Sequence, residues 1–61
     1  MPLVQISVVK GREREVVKEC VRRVARTVSE ALDAPLSTVR VIVNEIEPDY
    51  WATGDKLKSE T

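Results

Sequence analysis

The residues best suited to acid–base chemistry are a proline next to the initiator methionine and two arginines. Pro2 follows Met1, and a small second residue permits removal of the methionine, so the mature chain is expected to begin with the secondary amine of Pro2. An unperturbed α-amino group has a pKa of about 8, and desolvation or nearby cations favour its neutral form. Beside Arg12 and Arg40, Pro2 would be a general base poised near neutral pH. The structural alternative is that Pro2 only begins a strand, where its missing N–H costs little.

Arg12 and Arg40 supply the positive charge that such a reaction needs. They could bind a dianionic substrate and stabilise a developing enolate, so that with Pro2 they predict proton transfer next to a carbonyl. Arg40 lies inside an otherwise apolar segment, where a buried guanidinium requires an anionic partner. The structural alternative for Arg40 is a salt bridge to Glu45 or Glu47, and for Arg12 an ordinary surface position.

Few other residues of the chain could take part in catalysis or ligand binding. Trp51 is a large aromatic residue in a loop next to Gly54, where it could cap a small core or anchor an interface. Cys20 falls among apolar residues at helical spacing and is expected to be a small core residue. The chain has no His and one Cys, which excludes histidine-assisted nucleophiles and an intrachain disulfide and argues against a zinc site. No metal and no cofactor are expected.

Size and composition restrict the class of protein. The chain has 61 residues, of which 43% are hydrophobic and 33% charged, which is typical of one globular domain spanning 1–61. A formal net charge of zero argues against a nucleic-acid partner. No apolar run approaches the roughly 20 residues of a membrane span, and no cationic leader precedes the domain, so a cytoplasmic protein without a membrane partner is expected.

Hydrophobic periodicity predicts an α+β fold built as a βαβ unit. Residues 3–9 and 39–46 alternate and are rich in β-branched residues, which predicts two strands. Residues 13–32 carry an apolar stripe at three- and four-residue steps, which predicts one long helix that crosses between parallel strands. A short turn or hairpin is expected near 50–54, with a loose tail over about 56–61. Both faces of the strands carry apolar residues and one helix covers one face, so an oligomer is expected.

Several stretches resemble a known family over nearly the whole chain. "MP" opens the first strand, "GR" stands at the turn, and "SEALDAPLSTVRV" follows within the long helix and second strand. With these features the chain resembles 4-oxalocrotonate tautomerase. The resemblance implies a βαβ subunit that pairs into dimers, with three dimers forming a hexamer. It also implies an isomerase that uses an N-terminal proline to ketonise 2-hydroxymuconate, an intermediate in the breakdown of aromatic compounds.

The resemblance implies a role for each candidate residue. Pro2 matches the catalytic proline, and Arg40 matches the arginine that binds the carboxylate and carbonyl end and polarises the carbonyl. Arg12 matches the arginine that binds the distal carboxylate. Trp51 falls where the archetype has Phe in the apolar wall, and Val9 matches an apolar pocket residue whose backbone N–H is expected to help bind substrate.

Three alternatives stay open at this level. The loop "DYWATGD" departs from the Gly-rich loop of the archetype, so the substrate could be a phenylpyruvate-type enol. Some members of the family assemble from two kinds of chain, so the protein could be one chain of a hetero-oligomer. The third alternative is a non-catalytic oligomeric module that binds small dianions, which retention of Met1 would favour.

Overall fold

The computed structural model describes residues 1–61 and confirms the α+β prediction of a βαβ unit with a C-terminal hairpin. The strands are β1 (Leu3–Val9), β2 (Arg40–Ile46), β3 (Ala52–Thr53) and β4 (Lys56–Leu57), and the helix is α1 (Arg14–Leu32). Single turns of 3-10 helix cover Leu36–Thr38, Pro48–Tyr50 and Lys58–Glu60. The first strand has the predicted bounds, whereas the helix and the second strand each begin one residue later than predicted.

The two long strands are parallel and start together at one edge of the sheet. Their register runs from Leu3 opposite Arg40 to Val9 opposite Ile46. We call the end at Leu3 and Arg40 the amino edge, and the end at Val9 and Ile46 the carboxyl edge. Because the strands are parallel, the chain must return along α1 before it enters β2.

The end of α1 is fixed by a residue in the left-handed region. Asp33 has φ of 52°, and its N–H donates to the Glu30 carbonyl at 3.3 Å. The Ala34 N–H donates to the Ser29 carbonyl at 3.0 Å, which completes a Schellman-type cap. Pro35 follows and cannot continue the helix. The chain therefore turns sharply towards β2.

The helix covers one face of the sheet, but the core beneath it is thin. Half-buried aliphatic residues face one another across this layer: Val4, Ile6 and Val8 from β1, Val41 and Val43 from β2, and Val17, Val21, Val24 and Val28 from α1. Val39 is the one residue below a tenth exposed, at 8%. One chain therefore buries almost none of its side chains completely.

The opposite sheet face, which we call the open face, is not covered by the helix. It comprises alternate residues of both strands: Leu3, Gln5, Ser7, Val9, Arg40, Ile42, Asn44 and Ile46. On it Leu3 is 57% and Ile42 46% exposed. None of the eight is a carboxylate. The open face is thus partly apolar and carries one cation, Arg40.

The dimensions of the chain also indicate that it is incomplete by itself. Its radius of gyration is 14.3 Å, whereas a compact chain of this length has about 10.5 Å. Its accessible surface is 4927 Å², against about 4000 Å² for a compact monomer of this mass. The surplus of about 900 Å² is close to what one partner buries in a standard protein interface, about 800 Å².

The C-terminal segment is more regular than the sequence predicted. Ala52 pairs with Leu57 and Thr53 with Lys56, so the antiparallel hairpin runs through residues 52–57 and turns at Gly54, which has φ of 64°. Regular structure therefore continues through the segment for which a loose tail was expected. No helix in the structure has the length and apolarity required to cross a bilayer.

Candidate active site

Pro2 and Arg40 meet at the amino edge. The backbone N–H of Arg40 donates to the Pro2 carbonyl at 2.9 Å, one step before the Leu3–Arg40 register pair. Pro2 is half-buried, while Met1 is 88% exposed. Pro2 thus immediately precedes the first strand, where its lack of an N–H removes no ladder bond. The same hydrogen bond holds the backbone of Pro2 beside that of Arg40.

The Arg40 side chain is exposed, which corrects the expectation of a buried arginine. Its Nη1 donates to the Ser37 carbonyl at 2.9 Å and to the Val39 carbonyl at 3.3 Å. The expected salt bridge to Glu45 or Glu47 does not form in the chain, since Glu47 pairs with a lysine and Glu45 lies on the helix-covered face. The physical reason is that no element covers the open face beside Arg40. Arg40 therefore retains donors for an anion.

An ion pair between Lys10 and Glu47 lies at the carboxyl edge. Lys10 Nζ lies 3.1 Å from Glu47 Oε1, and the Lys10 N–H donates to the Ile46 carbonyl at 2.8 Å. Both charged side chains are more than half exposed, so the ion pair itself contributes little stability. It nevertheless engages Glu47, one of the two carboxylates expected to pair with Arg40.

Arg12 and Val9 are brought together at the carboxyl edge. Gly11 has φ of 147°, a backbone conformation that other residues rarely adopt, and it turns the chain out of the first strand. Arg12 Nη1 then donates to the Val9 carbonyl at 3.2 Å. The contact of Val9 with Arg12 is thus through the carbonyl group, and no carboxylate pairs with this arginine. Arg12, like Arg40, is free to bind an anion.

Trp51 joins Arg12 and Val9 around one cavity. The cavity has a volume of about 420 Å³, and its wall is formed by Ser7, Val8, Val9, Arg12, Trp51, Thr53 and Lys58. We call it the Trp51 cavity. Trp51 is half-buried and follows the 3-10 turn Pro48–Tyr50, and its carbonyl accepts the N–H of Lys58 at 2.7 Å. The cavity therefore combines an aromatic wall, two cations and two hydroxyl groups.

Sequence reasoning missed four residues of this cavity, namely Ser7, Val8, Thr53 and Lys58. Ser7 could have been found from strand alternation, because it shares a face with Val9. Lys58 could have been found only from the hairpin register, which returns the chain beside Trp51. The sequence predicted a turn that ended near Gly54, so this return was not anticipated.

The two groups of candidate residues lie at opposite edges of the sheet. Leu3 and Val9 are separated by six strand steps, which is about 20 Å. Pro2 and Arg40 therefore cannot share a small ligand with the Arg12 of the same chain. A site that used all these candidate residues would need the amino edge of one chain to meet the Trp51 cavity of another.

Cys20 is not the core residue that the sequence predicted. It is exposed, and with Val16, which is 55% exposed, it forms the outer border of the apolar stripe of α1. The stripe is wider than the sheet of one chain can cover, so its border is left uncovered. On the polar face of α1, a hydrogen bond from Arg23 to Glu19 holds the pKa of this carboxyl below its usual value of 4.5. That group is remote from both edges.

Comparison with known proteins decides the family. The model of the tautomerase enzyme family matches residues 2–61. The chain belongs to the tautomerase family. It is an enzyme, an isomerase.

Individual relatives agree with this assignment. A 2-hydroxymuconate tautomerase of Pseudomonas putida is 38% identical over 60 residues, which are 98% of this chain and 95% of the relative. A probable tautomerase of Lactiplantibacillus plantarum is 35% identical over 98% of this chain and 94% of its own length. A solved heterohexamer 4-oxalocrotonate tautomerase from Chloroflexus aurantiacus superposes with a TM-score of 0.93 at 33% identity, covering 98% of this tautomerase and 97% of that chain.

Proposed function

We propose that this tautomerase uses the amine of Pro2 as a general base to ketonise 2-hydroxymuconate-like dienols. The observation that carries the proposal is the pairing of Pro2 with Arg40 at the amino edge, beside a guanidinium that has no carboxylate partner. A base next to an available cation suits a substrate whose negative charge grows on oxygen as the proton leaves. Met1 is exposed, which is consistent with its removal to free the Pro2 amine.

The proposed reaction is a proton transfer in which nothing is oxidised or reduced. The neutral Pro2 amine takes the proton of the substrate 2-hydroxyl group, so the O–H bond breaks and a C=O bond begins to form. Arg40 stabilises the charge on this oxygen. The protonated amine then returns the proton to a carbon farther along the conjugated chain, where a C–H bond forms. The product is an unsaturated 2-oxo acid, and Pro2 is again neutral.

The Trp51 cavity of a second chain would hold the other end of the substrate. Arg12 binds the distal carboxylate, and Trp51 and Val9 exclude water from the conjugated chain. The separation of Pro2 and Arg12 within one chain supports this division between chains. The open face and the surplus surface support an oligomer, for which we propose a homo-hexamer built as three dimers. A hetero-oligomer is a second candidate, because the chain is similar to the Chloroflexus heterohexamer.

The experiment is the ultraviolet assay of 2-hydroxymuconate ketonisation by protein whose intact mass lacks Met1. Pro2→Ala keeps a primary amine and should reduce kcat by about 10²- to 10⁴-fold, the contribution of a positioned base. Arg40→Ala should reduce kcat by about 10²-fold or more, because an oxyanion donor is lost. Arg12→Ala should mainly raise KM, by about 10-fold or more, because a charge-assisted hydrogen bond is lost.

Arg14→Ala is the matched control, since Arg14 is exposed, forms no ion pair and lines neither edge. It should leave both constants unchanged. Unaltered kinetics in Arg40→Ala would remove this arginine from the proposed role. Turnover of a phenylpyruvate enol that is faster than that of 2-hydroxymuconate, and still depends on Pro2, would keep the mechanism and change the substrate. Absence of turnover in a Met-free assembly would favour a hetero-oligomer or a non-catalytic module.

A further inference from the structure

A second cation faces the Trp51 cavity beside Arg12. Lys58 lines the same wall as Trp51 and Thr53, and it lies at the start of the last 3-10 turn. Neither the role of Arg12 nor the mechanism above accounts for it. The cavity that would take the distal end of the substrate therefore carries two positive charges.

The fold fixes the backbone of Lys58 at this place. The hairpin pairs Ala52 with Leu57, and the next step of the register sets Lys58 against Trp51. The N–H of Lys58 donates to the Trp51 carbonyl at 2.7 Å. Lys58 is thus tied to the same backbone that presents the aromatic wall, and its position depends on the whole hairpin.

Neither cation of the cavity is neutralised within the chain. The five ion pairs of the chain involve Lys10 and residues of α1, and neither Arg12 nor Lys58 belongs to one. No carboxylate lines the cavity, although Ser7 and Thr53 add hydroxyl donors. A carboxylate entering here would meet two cations and two hydroxyl groups, whereas an apolar end would leave both cations without a partner.

We propose that Lys58 is a substrate-binding residue that acts with Arg12 on a distal carboxylate and makes the enzyme selective for dicarboxylates over monocarboxylates. The inference rests on the proposed function in assigning this cavity to the distal end of the substrate. A guanidinium fixes a carboxylate through directed hydrogen bonds, while an ammonium adds a mobile point charge. Lys58 therefore contributes mainly to affinity, and the conservative change to arginine should preserve its effect.

The test is a binding titration on the Met-free protein followed by the fluorescence of Trp51, the single tryptophan of the chain. The probes are adipate, which has two carboxylates, and 3-phenylpropionate, which has one carboxylate and an aromatic end. Lys58→Met should raise the Kd of adipate about fivefold, as expected for loss of a partly exposed charge-assisted contact. Lys58→Arg should restore the Kd of adipate to within about twofold of the wild-type value. The Kd of 3-phenylpropionate should change by less than about twofold in Lys58→Met.

Lys56→Met is the matched control, because Lys56 lies in the same hairpin but outside the cavity. It should leave both Kd values unchanged. The difference between wild type and Lys58→Met should also shrink as salt is raised from about 0.05 to 0.5 M, because screening weakens charge contacts. The inference would be overturned if Lys58→Met lost affinity equally for adipate and 3-phenylpropionate. It would also be overturned if Lys58→Met and Lys56→Met had the same Kd values.

Kinetics separate failure of this inference from failure of the proposed function. If Pro2 supports turnover of 2-hydroxymuconate but Lys58→Met leaves its KM unchanged, the inference is wrong and the function stands. If adipate binding depends on Lys58 but no Pro2-dependent turnover occurs, the dicarboxylate site stands and the proposed function is wrong.

Discussion

Replacing Ile42 with lysine tests whether the open face is buried between chains. Ile42 lies in the middle of the second strand, opposite Gln5, and is 46% exposed. Complete burial of an isoleucine is worth about 1.5–3 kcal/mol, so covering the exposed part contributes about 1 kcal/mol per chain. An ammonium at this place would be buried two residues from Arg40 on a face that has no carboxylate. An unpaired buried charge costs several kcal/mol more.

The lost apolar burial and the buried charge together cost about 4 kcal/mol per chain. This cost corresponds to a roughly thousandfold weaker interface. We expect Ile42→Lys to sediment as a smaller species at micromolar concentration and to lose tautomerase activity, because the proposed site draws its residues from two chains. Ile42→Val removes one methylene from the same position and should retain both the assembly and the activity. A wild-type sedimentation coefficient together with wild-type activity in Ile42→Lys would refute the reasoning.

Three further predictions concern the helix and its ends. Asp33→Gly should stabilise the protein by about 0.5–1 kcal/mol, which raises Tm by a few degrees in calorimetry, because glycine adopts the left-handed conformation without strain; a lower Tm would contradict this. Gly11→Ala should destabilise by about 1–2 kcal/mol and raise KM, because φ of 147° is strained for alanine and this turn carries Arg12; unchanged Tm and KM would contradict it. The pKa of Glu19 is lowered, chiefly by Arg23, so its stabilisation is present at neutral pH and is lost as pH falls through the folded-state pKa. Glu19→Gln should accordingly lower Tm at pH 7 and match wild type well below pH 4.5, the usual value for this carboxyl; a Tm difference that persists in acid would contradict this.

The fold could be predicted because periodicity is set locally. Alternation over 3–9 and the helical stripe over 13–32 require only neighbouring residues, and Pro35 marks a stop that does not depend on context. The chain order of strand, helix and strand then forces the two strands to be parallel. These features therefore agree with the structure to within a residue.

Burial could not be predicted in the same way, because it depends on surfaces that one chain does not contain. Cys20 and Arg40 stand among apolar residues in the sequence, which predicts burial. Both are nevertheless exposed in the single chain. Lys58 was missed for a different reason. Its place beside Trp51 follows from a two-residue antiparallel pairing, and strands this short carry no periodicity that a sequence could reveal.

The proposed division of the active site between chains can be measured most directly by mixing two impaired variants. Pro2→Ala and Arg12→Ala chains are unfolded together in equal amounts, refolded, and assayed with 2-hydroxymuconate well below its KM. If Pro2 and Arg12 act from different chains, about a quarter of the sites regain both residues, and kcat/KM approaches a quarter of the wild-type value. If the two residues act within one chain, no site is restored, and the mixture gives only the average of the two variants.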